Sequence, residues 1–136
     1  MTRDEIKNLS RRWMQFWQGG SLEQFEAMHA VDFIDHSATQ RAPDRESFRL
    51  SVFALYEAFP DFSASIDSVN IDEFSQCAAI RWCATGRHEG RFLGVDATQR
   101  NCSFTGIELI RVRDGVVMER WGEWDGLAIE RQIRCG

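Results

Sequence analysis

Residues Asn101 to Asp125 read NCSFTGIELIRVRDGVVMERWGEWD, and their pattern decides the fold. Asp114-Gly115 is a hairpin turn signal between two alternating runs. In the arm before it, Phe104, Gly106, Glu108, Ile110 and Val112 share one face. Thr105, Ile107, Leu109, Arg111 and Arg113 share the other. In the arm after it, strict alternation puts Val116, Met118, Arg120, Gly122 and Trp124 on one face. Val117, Glu119, Trp121 and Glu123 then take the opposite one. Large apolar residues occur on both faces of both arms, so both faces are expected to be covered. Helices of the same domain would cover one face. Further sheet or a second subunit would cover the other.

The polar residues within that hairpin carry the functional expectation. Glu108 sits between Ile107 and Leu109, and Arg120 between Glu119 and Trp121. A carboxylate inside a sheet is costly unless it is paired. If Glu108 and Arg120 share the concave face, they pair across the strands or line a pocket together. A solvent-exposed cross-strand ion pair is the plainer alternative.

Working outward, the N-terminal half has a different period. Residues 2–18 read as a helix capped by Thr2 or Asp4 and stopped by Gly19-Gly20. Its apolar stripe is Ile6, Leu9, Trp13, Phe16 and Trp17. Ser21 caps a short second helix whose buried edge is Leu22, Phe25 and Met28. Residues 32–36 are short and extended, with Phe33 and Asp35 on one face and Ile34 and His36 on the other. A loop over 38–43 leads to a third helix, opened by Asp44 and ended by Pro60-Asp61. From Phe62 onward the period is 2. Residues 76–90 form a long strand with Ala78, Ile80, Trp82, Ala84, Gly86 and His88 on one face. Residues 90–100 hardly alternate and read as a lid or rim. Residues 126–136 read as a tail or a short helical turn. The expected fold class is α+β: a curved antiparallel sheet of four long strands, wrapped by three N-terminal helices into a cone with an internal cavity. No repeat or linker divides residues 1–136, so one domain is expected.

Composition narrows the function classes. The chain has 136 residues, enough for a real core. A net charge of −5 without a basic block argues against nucleic acid and against anionic membrane as partners. No apolar run approaches the ~20 residues that span a bilayer. Cys77, Cys83, Cys102 and Cys135 lack metal-ligand spacing, so no metal is expected. With no signal peptide at the N-terminus, reduced thiols in a cytoplasm are expected. Five Trp and ten Phe against one Tyr suggest an aromatic interior, filled or hollow.

Five stretches together carry a resemblance. They are D-F-I-D-H at 32–36, F-P-D-F at 59–62, R-W-x-x-x-G-x-H-x-G-x-F-x-G at 81–94, T-G-I-E at 105–108 and R-D-G-V-V-M-E-R-W at 113–121. In this order they resemble the SnoaL-like polyketide cyclases, whose fold is the nuclear-transport-factor-like α+β cone. The resemblance implies ring closure by an intramolecular aldol condensation without metal or cofactor. It also implies a carboxylate just after the Trp of an E-x-W-D motif, and a histidine two residues after the position of Gly106. This chain has Gly122 at the first place and Glu108 at the second. The next carboxylate, Asp125, is held as a reserve acid.

The candidate catalytic residues are therefore Glu108, His36 and Arg120. Glu108 would act as base, because desolvation raises a carboxyl pKa toward neutrality. His36, in a position that resemblance turns toward the cavity, or Arg120 would stabilise an enolate oxygen. Trp13, Trp17, Phe33, Trp82, His88 and Trp124 are candidate walls for a small apolar or aromatic molecule. Each of them has core packing as its plainer role. Two function classes stay open: a cofactor-free cyclase or isomerase, and a binding or dimerisation module of the same fold. A homodimer through the outer sheet face is expected, since Ile107, Leu109 and Trp121 lie opposite Glu108.

Overall fold

The computed structural model describes residues 1–37 and 40–135. Of the loop expected over 38–43, Ala38 and Thr39 lie outside the described residues, as do Gly136 and the Cys135 side chain. The elements run α1 (Arg3–Phe16), α2 (Leu22–Met28), β1 (His29–Asp35), α3 (Arg45–Ala58), β2 (Ser63–Asp72), β3 (Cys77–Arg87), β4 (Asn101–Arg113), β5 (Val116–Trp124) and α4 (Gly126–Cys135). The strands form one curved, unclosed sheet in the order β1-β5-β4-β3-β2. The fold is α+β, with helices covering the concave face.

Local chemistry sets the helix starts. Thr2 Oγ1 accepts from the Glu5 amide, and the Glu5 carboxylate accepts from the Thr2 amide. Ser21 and Gln24 repeat this reciprocal cap. Asp44 caps α3 by accepting from Ser47 N at 2.8 Å. Each cap satisfies amides that the first helical turn leaves without partners. Asp114 and Gly115 both take positive φ, 53° and 83°, as the turn between β4 and β5 requires.

Three expectations are corrected. The sheet is mixed, because β1 pairs with β5 in parallel. β1 follows α2 rather than a hairpin, and a crossover of that kind permits parallel placement. The C-terminal segment is a ten-residue helix against β4 instead of a tail or single turn. Ile129 and Ile133, four apart, are both buried, and Asp125 Oδ1 accepts from Ala128 N at 3.0 Å. Finally, β5 does not alternate strictly. Its register against β4 shifts between Arg111 and Val112, so that Val112 faces Val117 and Arg111 faces Glu119. The bulge at Met118 turns Val117 into the core in place of Val116 and leaves Arg120 and Gly122 facing inward.

The core lies between the concave face and α1, α2 and α3. At its centre Trp13 Nε1 donates to His29 Nε2 at 2.9 Å, while His29 Nδ1 meets the Phe25 carbonyl at 2.7 Å. An indole N–H only donates, so Nε2 is the acceptor and the imidazole proton sits on Nδ1. Both ring nitrogens are satisfied by a neutral ring. Burial lowers the His29 pKa from 6.5 to about 4, with Arg45 and Arg120 adding to the effect against the Phe25 carbonyl.

The sign of the pH effect follows. Below 6.5 the unfolded chain takes up a proton that the folded chain refuses until about 4. The contribution is complete above pH 6.5 and falls away as pH drops through that window, by on the order of 3 kcal/mol. Urea unfolding at stepped pH is expected to show this loss, and His29→Gln to remove the part of the slope between pH 6.5 and 4. An unchanged slope in the variant would refute the assignment.

Candidate active site

On the concave face, β4 and β5 place Glu108 directly opposite Gly122. Arg120 lies two residues before Gly122, and β1 brings Asp35 level with Arg120. The four positions share one inner patch. Arg120 Nε and Nη2 donate to the two Glu108 carboxylate oxygens at 3.0 and 2.9 Å. Arg120 Nη1 donates to Asp35 Oδ1 at 3.0 Å. Asp35 Oδ2 accepts from Arg41 Nη2 at 2.6 Å, and Asp35 Oδ1 also accepts from Ser37 N at 3.0 Å. Ser37 Oγ in turn accepts from Gly122 N at 2.7 Å. The Arg120 guanidinium lies over the Phe48 ring, 4.9 Å from its centroid.

The electrostatics of the two carboxylates differ. Glu108 is 4% exposed. Burial pushes its carboxyl pKa up, and the neighbouring Asp35 adds to this, while Arg120 pulls the other way. Burial alone would lower the Arg120 guanidinium, but Glu108 and Asp35 outweigh it and hold Arg120 firmly charged. The asymmetry has a simple cause. Arg120 serves two carboxylates, and Glu108 has only a share of one guanidinium. Glu108 is thus ion-paired and raised in pKa at once, and it both pairs across the strands and lines the pocket.

Gly122 explains the departure from E-x-W-D. A Cβ built at Gly122 would fall inside contact distance of both Arg120 Nη2 and Glu108 Oε2. The space that a side chain at 122 would enter is filled by the Glu108 carboxylate. A carboxylate therefore stands at this point of the cavity, delivered from β4 rather than from β5.

A cavity of about 600 Å³ opens in front of this network. Trp17, Trp82 and Trp124 line it, with Phe48, Phe62 and Phe104 on the apolar side and Glu108, Arg120 and Arg41 on the polar side. Phe92 and Leu93, from the expected rim over 90–100, also border it. Three of the expected wall residues are elsewhere. Trp13 is fully buried on His29. Phe33 is buried against His29 and Phe48. His88 is fully buried, stacked on Phe59, with Nδ1 3.2 Å from Thr98 N. Each fills the helix–sheet interface or anchors the rim.

His36 borders the cavity mouth beside Trp121, which also lines it. It stacks on Trp121 at 4.4 Å and 5°, and Nε2 lies 3.1 Å from Glu119 Oε1. Arg111 binds the other Glu119 oxygen. Strand alternation makes Asp35, one residue earlier, the inward group. Asp35 and Arg41 are the site residues that the sequence reading did not name. Asp35 did carry a signal, since it shares its strand face with buried Phe33. Asp125, the reserve acid, is exposed and engaged as the α4 cap. Among the described residues no group of three or more His, Cys, Asp or Glu side chains is arranged to hold a metal ion.

A curved sheet wrapped by helices around an aromatic cavity, with a buried carboxylate–guanidinium pair at its polar end, defines an α+β cone protein with a pocket that is apolar along its walls and charged at one end. The sequence profile of the SnoaL-like polyketide cyclases matches residues 7–133, and the chain belongs to that family. It is 26% identical over 129 residues to aklanonic acid methyl ester cyclase DnrD of Streptomyces peucetius, covering 93% of this chain and 88% of DnrD. DauD, the cyclase of the same name from Streptomyces sp. strain C5, is also 26% identical, with 93% and 80% covered. IdmH of Streptomyces antibioticus superposes with a TM-score of 0.80 at 25% identity, covering 93% of this chain and 96% of IdmH. TsrD of Streptomyces laurentii superposes at 0.87 with 20% identity over 100% and 99%, which speaks for the fold alone.

The steric account of Gly122 is open to a direct test. Gly122→Ala is expected to displace the buried pair and lower the unfolding free energy by about 3 kcal/mol in urea titration. A change under about 0.5 kcal/mol, the range of ordinary surface substitutions, would show that the pair moves aside freely.

Proposed function

We propose that this protein is a cyclase or isomerase that moves a proton next to a carbonyl of an apolar or polycyclic molecule, with Glu108 as the acid–base group. The observation that carries the reading is the carboxylate of Glu108 in the space above Gly122, at the polar end of an aromatic cavity. The relationship to two aklanonic acid methyl ester cyclases supports the same chemistry.

In this reading the Glu108 carboxylate removes a proton from the carbon beside a ligand carbonyl. The C–H electrons form a C=C bond, and the carbonyl π electrons move to oxygen as an enolate. The enolate carbon attacks a second carbonyl of the same molecule and closes the ring. The alkoxide formed there takes the proton back from Glu108, so the chemistry balances without metal or cofactor. Charge bookkeeping favours the step. Asp35 and Glu108 against Arg41 and Arg120 sum to zero when all four are ionised. Once Glu108 holds the proton, the cluster carries +1, opposite the −1 of the enolate. Arg120 keeps Glu108 ionised and aimed, and Asp35 keeps Arg120 in place.

One observation favours the second reading, a binding module without turnover. Both Glu108 oxygens already accept from Arg120. Glu108→Gln separates the two. With a panel of small polycyclic ketones and aromatic β-keto esters, the enzyme reading expects turnover by the native protein. The variant should still bind but lose at least about 100-fold in kcat. Equal binding without turnover by either protein would leave the binding module. For the enzyme, the rate should rise with pH as Glu108 ionises, with its midpoint above the ordinary Glu range, because burial raises that pKa. A midpoint at or below the ordinary value would exclude Glu108 as the titrating base.

The proposal includes a homodimer through the outer sheet face. Ile34, Ile107, Leu109 and Trp121 are exposed on it, with Ile107 52% accessible. An apolar patch on a sheet invites a second copy. Light scattering at micromolar concentration is expected to give twice the chain mass, and a monomer mass would refute this. No described helix is long and apolar enough to cross a membrane.

A further inference from the structure

Two guanidinium groups stand at the polar end of the cavity, and their surroundings differ. The Arg120 side chain is 8% exposed, makes three hydrogen bonds to carboxylates and lies over Phe48. It has little left to offer a ligand. The Arg41 side chain is 30% exposed and borders the same cavity. Its only hydrogen bond among the described residues is Nη2 to Asp35. Arg41 Nε is buried without a partner there, and Nη1 is uncommitted. Asp35 in turn is saturated by Arg41, Arg120 and Ser37 N, so it anchors Arg41 by one edge and cannot turn away.

We infer that Arg41 forms an oxyanion-receiving subsite at the mouth of the cavity, taking a carboxylate-type group carried by an otherwise apolar, planar molecule. The inference rests on the cavity being the ligand site, as proposed above, but not on Glu108 being a base. The neighbouring acids do not block it. Asp35 commits both oxygens to Arg41, Arg120 and Ser37 N, and both Glu108 oxygens accept from Arg120, so each negative charge is offset by a guanidinium before an anion arrives. Glu123, which also borders the cavity, is exposed, so water screens its charge. A guanidinium fixed on one edge offers its remaining N–H groups in a plane, the geometry that a carboxylate matches. The flat walls of Trp17, Trp82 and Phe104 then hold the ring system behind that group.

The test compares two probes of the same shape, naphthalene-2-carboxylate and naphthalene-2-carboxamide, by calorimetry at pH 7.5. The native protein is expected to bind the carboxylate about tenfold more tightly. Arg41→Gln should remove that preference while leaving amide binding intact, which also shows that the variant is folded. Arg41→Lys should keep part of it, since it retains the charge but not the fork. Glu108→Gln should keep the preference, which separates this inference from the proton-transfer reading. Equal affinities in the native protein would overturn the inference and leave the cavity standing. A preference that survives Arg41→Gln would overturn it in favour of Arg120. Failure of both probes to bind would overturn the inference and the cavity reading together.

Discussion

Arg120 is the point at which three strands are tied on their inner face. Its guanidinium reaches Glu108 on β4 and Asp35 on β1 while its backbone sits on β5. A charge in a protein interior is tolerated only when its hydrogen bonds are complete. Arg120 meets that demand with a two-bond fork to one carboxylate and a single bond to another. Because β1 is remote in sequence from the β4–β5 hairpin, the network needs the finished sheet. It fixes where β1 lies along β5, since only one register sets Asp35 beside Arg120. It also fixes what stands at residue 122, since the pair occupies the space a side chain would need.

The rest of the cavity follows from how the aromatic residues divide. Trp13, Phe25, Phe33 and Phe48 surround neutral His29 and seal the interior between α1, α2, α3 and the sheet. Trp17, Trp82 and Trp124 stand further out and leave space between them. The two groups have the same chemistry and different neighbours. The filled part makes the scaffold rigid, and the hollow part inherits that rigidity. A ligand would meet walls already held in place, which limits the ordering cost of binding.

What was legible in the sequence was local. The caps at Thr2, Ser21 and Asp44, the Asp114-Gly115 turn and the alternation of β3 and β4 depend on near neighbours, and each reads directly. Glu108 and Arg120 also read as a pair, because one hairpin holds them both. The bulge at Met118 was not legible, because a single extra residue leaves no compositional trace. The partners of His36 were not legible for a related reason. A family likeness placed it toward the cavity, whose mouth it does border. Its stacking on Trp121 and its contact with Glu119 depend on the pairing of β1 with β5, which also brings Asp35 beside Arg120. Arg41 comes from a loop, where no period announces which way a side chain points. Residue type likewise could not divide Trp13, Phe33 and His88 from Trp17, Trp82 and Trp124. The helix α4 did have a signal, in Ile129, Ile133 and the Asp125 cap, that a short C-terminal segment made easy to pass over.

The crowding at Gly122 has a consequence for how such a site is reached by mutation. A side chain at 122 and a glutamate at 108 compete for one volume between β4 and β5. A lineage that carries a carboxylate at 122 cannot acquire Glu108 first without a steric clash in its core. It has to shrink residue 122 to glycine before residue 108 is extended, and the return path runs in the opposite order. The order of the two changes is therefore fixed in each direction, because one volume cannot hold both side chains.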